Sequence, residues 1–94
     1  MIPDIKKRSL HRSRILQGQL KGLEKMIENE EYCMDIITQS LAIQKSLSSL
    51  NKLILENHLR THISEKLASA DEKDHAEAIK ELLSLYELTL VRSK

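Results

Sequence analysis

Aromatic side chains are nearly missing from this chain: two Tyr, no Phe and no Trp among 94 residues. A β-sandwich needs aromatic and β-branched strands closed by frequent turns, so that class is not expected. Turn formers are equally scarce, with two Gly and one Pro. Few turns mean few, long elements. The single cysteine, Cys33, cannot form an intramolecular disulfide, so an oxidising compartment is not implied. No stretch approaches the ~20 apolar residues of a membrane span, and no secretory signal pattern is present. The expectation is a cytoplasmic protein without a membrane partner. No charge dominates either: 15 basic against 14 acidic residues leave a net +1, so the chain as a whole is no magnet for polyanions.

What is present is helical. The composition, 40% hydrophobic and 31% charged, suits an all-α bundle in one small domain spanning residues 1–94. Pro3 and Asp4 suit a helix start. Leu10, Leu16, Leu20, Leu23 and Ile27 then repeat at helical spacing, predicting a first helix over about 4–28. Gly18 and Gly22 interrupt it, and close approach of another helix is the reading for that pair. "NEE" at 29–31 ends it. The second helix, about 31–67, contains no Gly or Pro, and Ile36, Ser40, Ile43, Leu47, Leu50, Ile54 and Asn57 step along it by alternating fours and threes. Ile37, Leu41, Leu53 and Leu55 widen that stripe. At 1.5 Å per residue this helix is roughly 50 Å long, more than a domain of ~13 Å radius of gyration can cover. It therefore calls for a second copy of itself. "SADEKDH" is polar and connecting, and a third helix, about 72–90, runs through Ile79, Leu82, Leu83, Tyr86 and Leu90.

Three residues could bind a metal: Cys33 and the pair His58 and His62 in "LENHLRTHISEK". Residues four apart share a helix face. Thiolate with imidazole suits Cu(I), Zn(II), Ni(II) or Co(II) and disfavours Mg(II) and Ca(II). Taken alone, His-x-x-x-His is more often ordinary surface chemistry. Cys33 and His58 are 25 residues apart, roughly 37 Å along one helix, so they meet only if two copies of the second helix pack antiparallel. The zinc-protease signature is missing, because Leu59 stands where that motif needs Glu. No catalytic triad or phosphate-binding glycine loop can be argued, and the reading is of a non-enzyme.

Charge is uneven along the chain. Residues 1–25 hold seven basic residues (Lys6, Lys7, Arg8, Arg12, Arg14, Lys21, Lys25) against Asp4 and Glu24. Lys7, Arg14 and Lys21 recur every seven residues, with His11 and Lys25 on or near that face and Arg8 and Arg12 an adjacent pair. Such a stripe is either a solvated face or a track for a phosphate backbone. With only Gln17 and Gln19 suited to reading base edges, phosphate contacts and duplex shape would dominate.

Together, "HRSRILQGQLKGLEKMIENEEYC", "DIITQSLAIQKSL" and "LENHLRTHI" resemble the CsoR/RcnR family of metal-sensing bacterial repressors over about residues 6–90. The resemblance implies an antiparallel four-helix-bundle dimer built from the first two helices of each protomer, with the third helix appended, and a dimer of dimers. It implies a repressor that binds operator DNA when metal-free and releases it on binding metal. By the same resemblance, Cys33, His58 and His62 are the ligands, the last where copper sensors commonly carry a second cysteine. Cu(I) is the favoured ion. A nickel/cobalt sensor is the alternative and would need a further ligand, such as the amine of Met1 or Asp4. A persulfide sensor would need a second cysteine. A formaldehyde sensor would need a free N-terminal proline, and Pro3 is internal behind a bulky Ile2 that discourages removal of Met1. Tyr32 and Glu81 match positions that hydrogen-bond toward the metal-bound histidine. Arg12 and Arg14 match positions used for DNA, and Lys52 could replace a basic residue that is Ser49 here. The rival from another class is a helical oligomerisation protein that binds no DNA.

Overall fold

A computed structural model describes residues 1–92, with side chains described through Leu88. In chain order it contains α1 (Pro3–Glu28), α2 (Cys33–His58), a π-helical turn (Leu59–Ile63), α3 (Ser64–Ala68) and α4 (Glu72–Arg92). Residues 33–68 are helical throughout, so the described residues hold three helical runs and no strand. The ends lie within one or two residues of those expected. The π turn interrupts what the sequence presents as one continuous α-helix. The chain divides into two compact units, Met1–Asn57 and His58–Lys94.

The first unit is an antiparallel hairpin of α1 and α2. Ile2 is the N-cap of α1 in extended conformation, Pro3 occupies the first helical position and Asp4 the first turn. The Ile2 N–H, which the helix itself leaves without a partner, donates to Asn57 Oδ1 at 2.9 Å. Further along, Gln39 Nε2 donates to the Gln19 carbonyl at 3.4 Å. Between the helices, α1 ends in a Schellman turn: Glu30 N–H donates to Ile27 O and Glu31 N–H to Met26 O, each at 3.0 Å. The left-handed position of that turn falls on Glu30, at φ 49°, where glycine is usual. The turn consumes residues 29–31, which is why α2 begins at Cys33 and not at 31. The Tyr32 carbonyl then accepts from the Asp35 and Ile36 amides and closes the first turn of α2.

The hairpin's inner face is thin and partly polar. Ile5, Ser9 and Leu16 of α1 and Ile43, Leu53 and Asn57 of α2 are buried. Leu20 and Ile27 of the expected α1 stripe are more than half exposed, and Leu47 and Ile54 of the α2 stripe are 45% and 42% exposed. Both stripes have the expected period, but each is wider than one neighbouring helix can cover. Gly18 does not support the close-approach reading within the chain, because a Cβ there would meet nothing within 4 Å; at Gly22 it would meet Gln39 Nε2 at 3.8 Å.

In the second unit the most buried residues are Ile63 and Ala78. Ser69 Oγ accepts from the Asp71 amide and Asp71 Oδ1 from the Lys73 amide, so Asp71 caps the start of α4. The large apolar residues expected to form the α4 core stripe, Ile79, Leu82, Leu83 and Tyr86, are exposed. Ala78 packs inward instead, with Glu81 and Leu85 half-buried on the same side. The side chain of Leu90, assigned to the same stripe, lies outside the described residues.

Candidate metal centre and nucleic-acid interface

Cys33 is the first residue of α2 and is exposed. His58 is the last residue of the same helix, so the two stand at opposite ends of 26 helical residues. At 1.5 Å per residue this is again roughly 37 Å. His62 lies in the π turn. The imidazole rings of His58 and His62 have centroids 5.2 Å apart, tilted by 41°. Both rings lie on one side of the helix, as their four-residue spacing dictates. Among the described residues no three His, Cys, Asp or Glu side chains converge on a metal position.

Glu81 of α4 reaches His58: its Oε1 pairs with His58 Nε2. An ionised carboxylate can only accept, so Nε2 is the donor in this pairing and Nδ1 is the ring nitrogen turned away from Glu81. One carboxylate thereby orients the ring of a candidate ligand. The donor chemistry (one thiol and two imidazoles, one of them already oriented) fits a soft or borderline ion of the Cu(I) or Zn(II) kind. Tyr32, expected beside the metal-bound histidine, is 71% exposed. Sequence reasoning missed Lys66 of α3, whose Nζ lies 3.6 Å from Glu77 Oε2 and 3.7 Å from Glu81 Oε2. His58, His62 and Lys66 are spaced by four, as are Glu77 and Glu81, but nothing in that spacing sets the two series against each other; the fold does.

The basic residues gather elsewhere. An open groove of about 820 Å³ in the hairpin is lined by Lys7, Arg8, His11 and Arg12 of α1 and by Ser49 and Lys52 of α2, with Asp4, Ile15, Leu53 and Glu56 completing it. Arg8 and Asp4 pair across one helical turn at 3.6 Å, a solvent-exposed contact of little energetic weight. The antiparallel register brings Lys52 and Ser49 opposite the start of α1. Four of the six residues expected at DNA therefore share one surface. Arg14 and Lys21 are exposed on α1 but do not line the groove.

A family of metal-sensitive transcriptional repressors matches residues 5–87. The chain belongs to that family. Among curated members, it is 36% identical over 88 residues to the copper-sensing transcriptional repressor CsoR of Mycobacterium ulcerans, covering 94% of this chain and 73% of that one. Among solved structures, the copper-sensing repressor CsoR with Cu(I) from Geobacillus thermodenitrificans matches with a TM-score of 0.80 and 26% identity, covering 96% of this chain and 90% of that one. A variant of the formaldehyde-responsive regulator FrmR from Salmonella enterica serovar Typhimurium matches at 0.72 and 31% identity, covering 92% and 94%. The all-helical fold and the repressor class read from the sequence thus stand. Among the described residues no helix is long and apolar enough to cross a membrane.

Proposed function

We propose that this family member is a cytoplasmic, copper-responsive repressor of a single functional domain, binding operator DNA without metal and releasing it on binding Cu(I). The observation that carries this reading is the His58–His62 pair, with His58 oriented by Glu81 and the thiol a helix length away. One protomer supplies Cys33, and another supplies His58 and His62. The exposed apolar flanks of α1 and α2 supply the surface for an antiparallel four-helix bundle between two chains, and two such dimers form the tetramer. Twofold symmetry then gives two equivalent sites per dimer. Cys33, His58 and His62 would hold the Cu(I) ion, whose softness suits thiolate and imidazole donors. The chain's own residues do the rest: Glu81 orients the ring of His58, Tyr32 approaches the site from the neighbouring chain, and the groove cations Lys7, Arg8, Arg12 and Lys52 meet phosphates, with Arg14 and Lys21 extending the basic surface along α1. The role is regulatory, with no catalytic residue.

Copper is favoured by the similarity to copper sensors; Ni(II), Co(II) and Zn(II) rank behind it. Formaldehyde sensing is disfavoured because Pro3 is the first residue of α1, behind an Ile2 tethered to Asn57. Metal and DNA must weaken each other by one coupling free energy, typically ~1–3 kcal/mol or about 5–150-fold in affinity. Operator binding by fluorescence anisotropy, with and without buffered Cu(I), tests this. The wild type should release DNA with copper, and Cys33→Ala should bind DNA normally but ignore copper. Equal operator affinity of the wild type in both conditions would overturn the proposal.

A further inference from the structure

The Glu81 carboxylate is held at both oxygens. Oε1 takes His58 Nε2, and Oε2 faces Lys66 Nζ at 3.7 Å. The same Nζ meets Glu77 Oε2 at 3.6 Å. Glu77 and Glu81 are four residues apart on α4, where two like charges repel. His58 pairs with Glu81 while Lys66 reaches back to Glu77, so α4 runs antiparallel to the segment that carries the histidines. Ala78, between the two glutamates in sequence, is fully buried.

We propose that Lys66 is a positioning residue for the metal site: it balances Glu77 against Glu81 and so keeps Glu81 turned onto His58. The reasoning is one of geometry and charge. A carboxylate anchored only by His58 is free to turn about its last torsion and to swing away from the neighbouring Glu77 toward water. A cation between the two glutamates removes the repulsion and fixes the second oxygen. The side chains of Lys66 and Glu81 are about one-third exposed, 35% and 34%, so these ion pairs add little to folding stability. Their consequence is orientation. A ligating histidine whose outer hydrogen-bond partner is lost typically forfeits about 10–100-fold in metal affinity or response. Lys66 acts one step further out, through Glu81.

The inference rests on the metal reading for its functional readout but not for its structural one. In metal-free protein, ¹⁵N chemical shifts of the His58 ring report the tautomer directly. The wild type should show the Nε2–H form, Lys66→Met a mixture of tautomers, and Lys66→Arg, which restores the cation, the wild-type pattern. Met keeps most of the aliphatic stem, so helix content should be unchanged in all three by circular dichroism. Cu(I) titrations of the operator complex should show release weakened by about tenfold in Lys66→Met and restored in Lys66→Arg. A Lys66→Met protein with the wild-type tautomer overturns the proposal, and so does one in which Arg fails to rescue. If the wild type does not release DNA with copper, the metal reading fails, and the tautomer measurement still decides whether Lys66 positions Glu81.

Discussion

The two sides of the α1–α2 hairpin carry different chemistry. The side where the helices meet buries only Ile5, Leu16, Ile43 and Leu53 as apolar residues, together with Ser9 and Asn57. The sides turned away hold Leu10, Leu20, Ile27, Ile37, Leu41, Leu47 and Ile54, all exposed. A hairpin designed to stand alone would have the reverse distribution. Exposed apolar area on this scale marks an interaction surface, and a self-complementary one suits a twofold dimer. The inner face sets the register of the hairpin, and the outer faces are proposed to supply the stability.

Breaking the outer face should have the largest effect. Leu47→Glu places a charge where the proposed bundle is apolar. Burial of one Leu contributes about 1.5–3 kcal/mol relative to exposure, and a symmetric dimer loses it twice. Sedimentation should show the assembly dissociated, and Cu(I) binding should fall with it, because Cys33 and the histidines come from different chains. An inner-face polar residue gives the contrast: Ser9→Ala, at a buried hydroxyl, should leave both assembly and copper binding intact. If Leu47→Glu stayed assembled and bound copper as before, the outer face would not be the interface.

A smaller effect separates the groove from the rest of α1. Each phosphate neutralised contributes about 0.9 to the slope of log affinity against log salt. Arg12→Ala, inside the groove, should lower the slope for operator binding by about that amount, measured by anisotropy between 50 and 200 mM salt. Arg14→Ala, outside it, should lower the slope less. Equal slopes for the two variants would make the basic surface one continuous stripe, with the groove no special part of it.

The limits of the sequence lie at particular residues. The helical runs were legible because their periodicity is long and uninterrupted. The phase of burial was not, because Leu47 and Leu53 belong to different faces of one helix and a hydrophobicity pattern adds the faces together. Glu30 hides the turn between α1 and α2, since the left-handed position usually announces itself with glycine. The π turn over residues 59–63 has no Gly or Pro to mark it. At the site, the types and spacing of Cys33, His58 and His62 could be read directly, and Glu81 followed from resemblance. Lys66 could not be found without the antiparallel placement of α4, because its partners are 11 and 15 residues away and only the fold brings them together. Lys52 and Ser49 likewise join the basic residues of α1 only through the hairpin.

The smallest expected effect bears on where the outer surface is covered. Gly18 lies on α1 with nothing within 4 Å of a Cβ built upon it, near Arg14 and Lys21 in sequence. A helix-interior glycine is destabilising by about 0.8–1.0 kcal/mol relative to alanine. Where no neighbour approaches, alanine recovers that energy; where a second chain packs tightly, the added methyl causes a clash that costs more. Gly18→Ala is expected to raise stability by up to ~1 kcal/mol in chemical denaturation at constant protein concentration, with the assembly unchanged. That outcome would assign this strip of α1 to the basic, solvent-facing side. Loss of stability together with dissociation would move the chain–chain interface onto it, and the close-approach reading of the glycine pair would then hold between protomers.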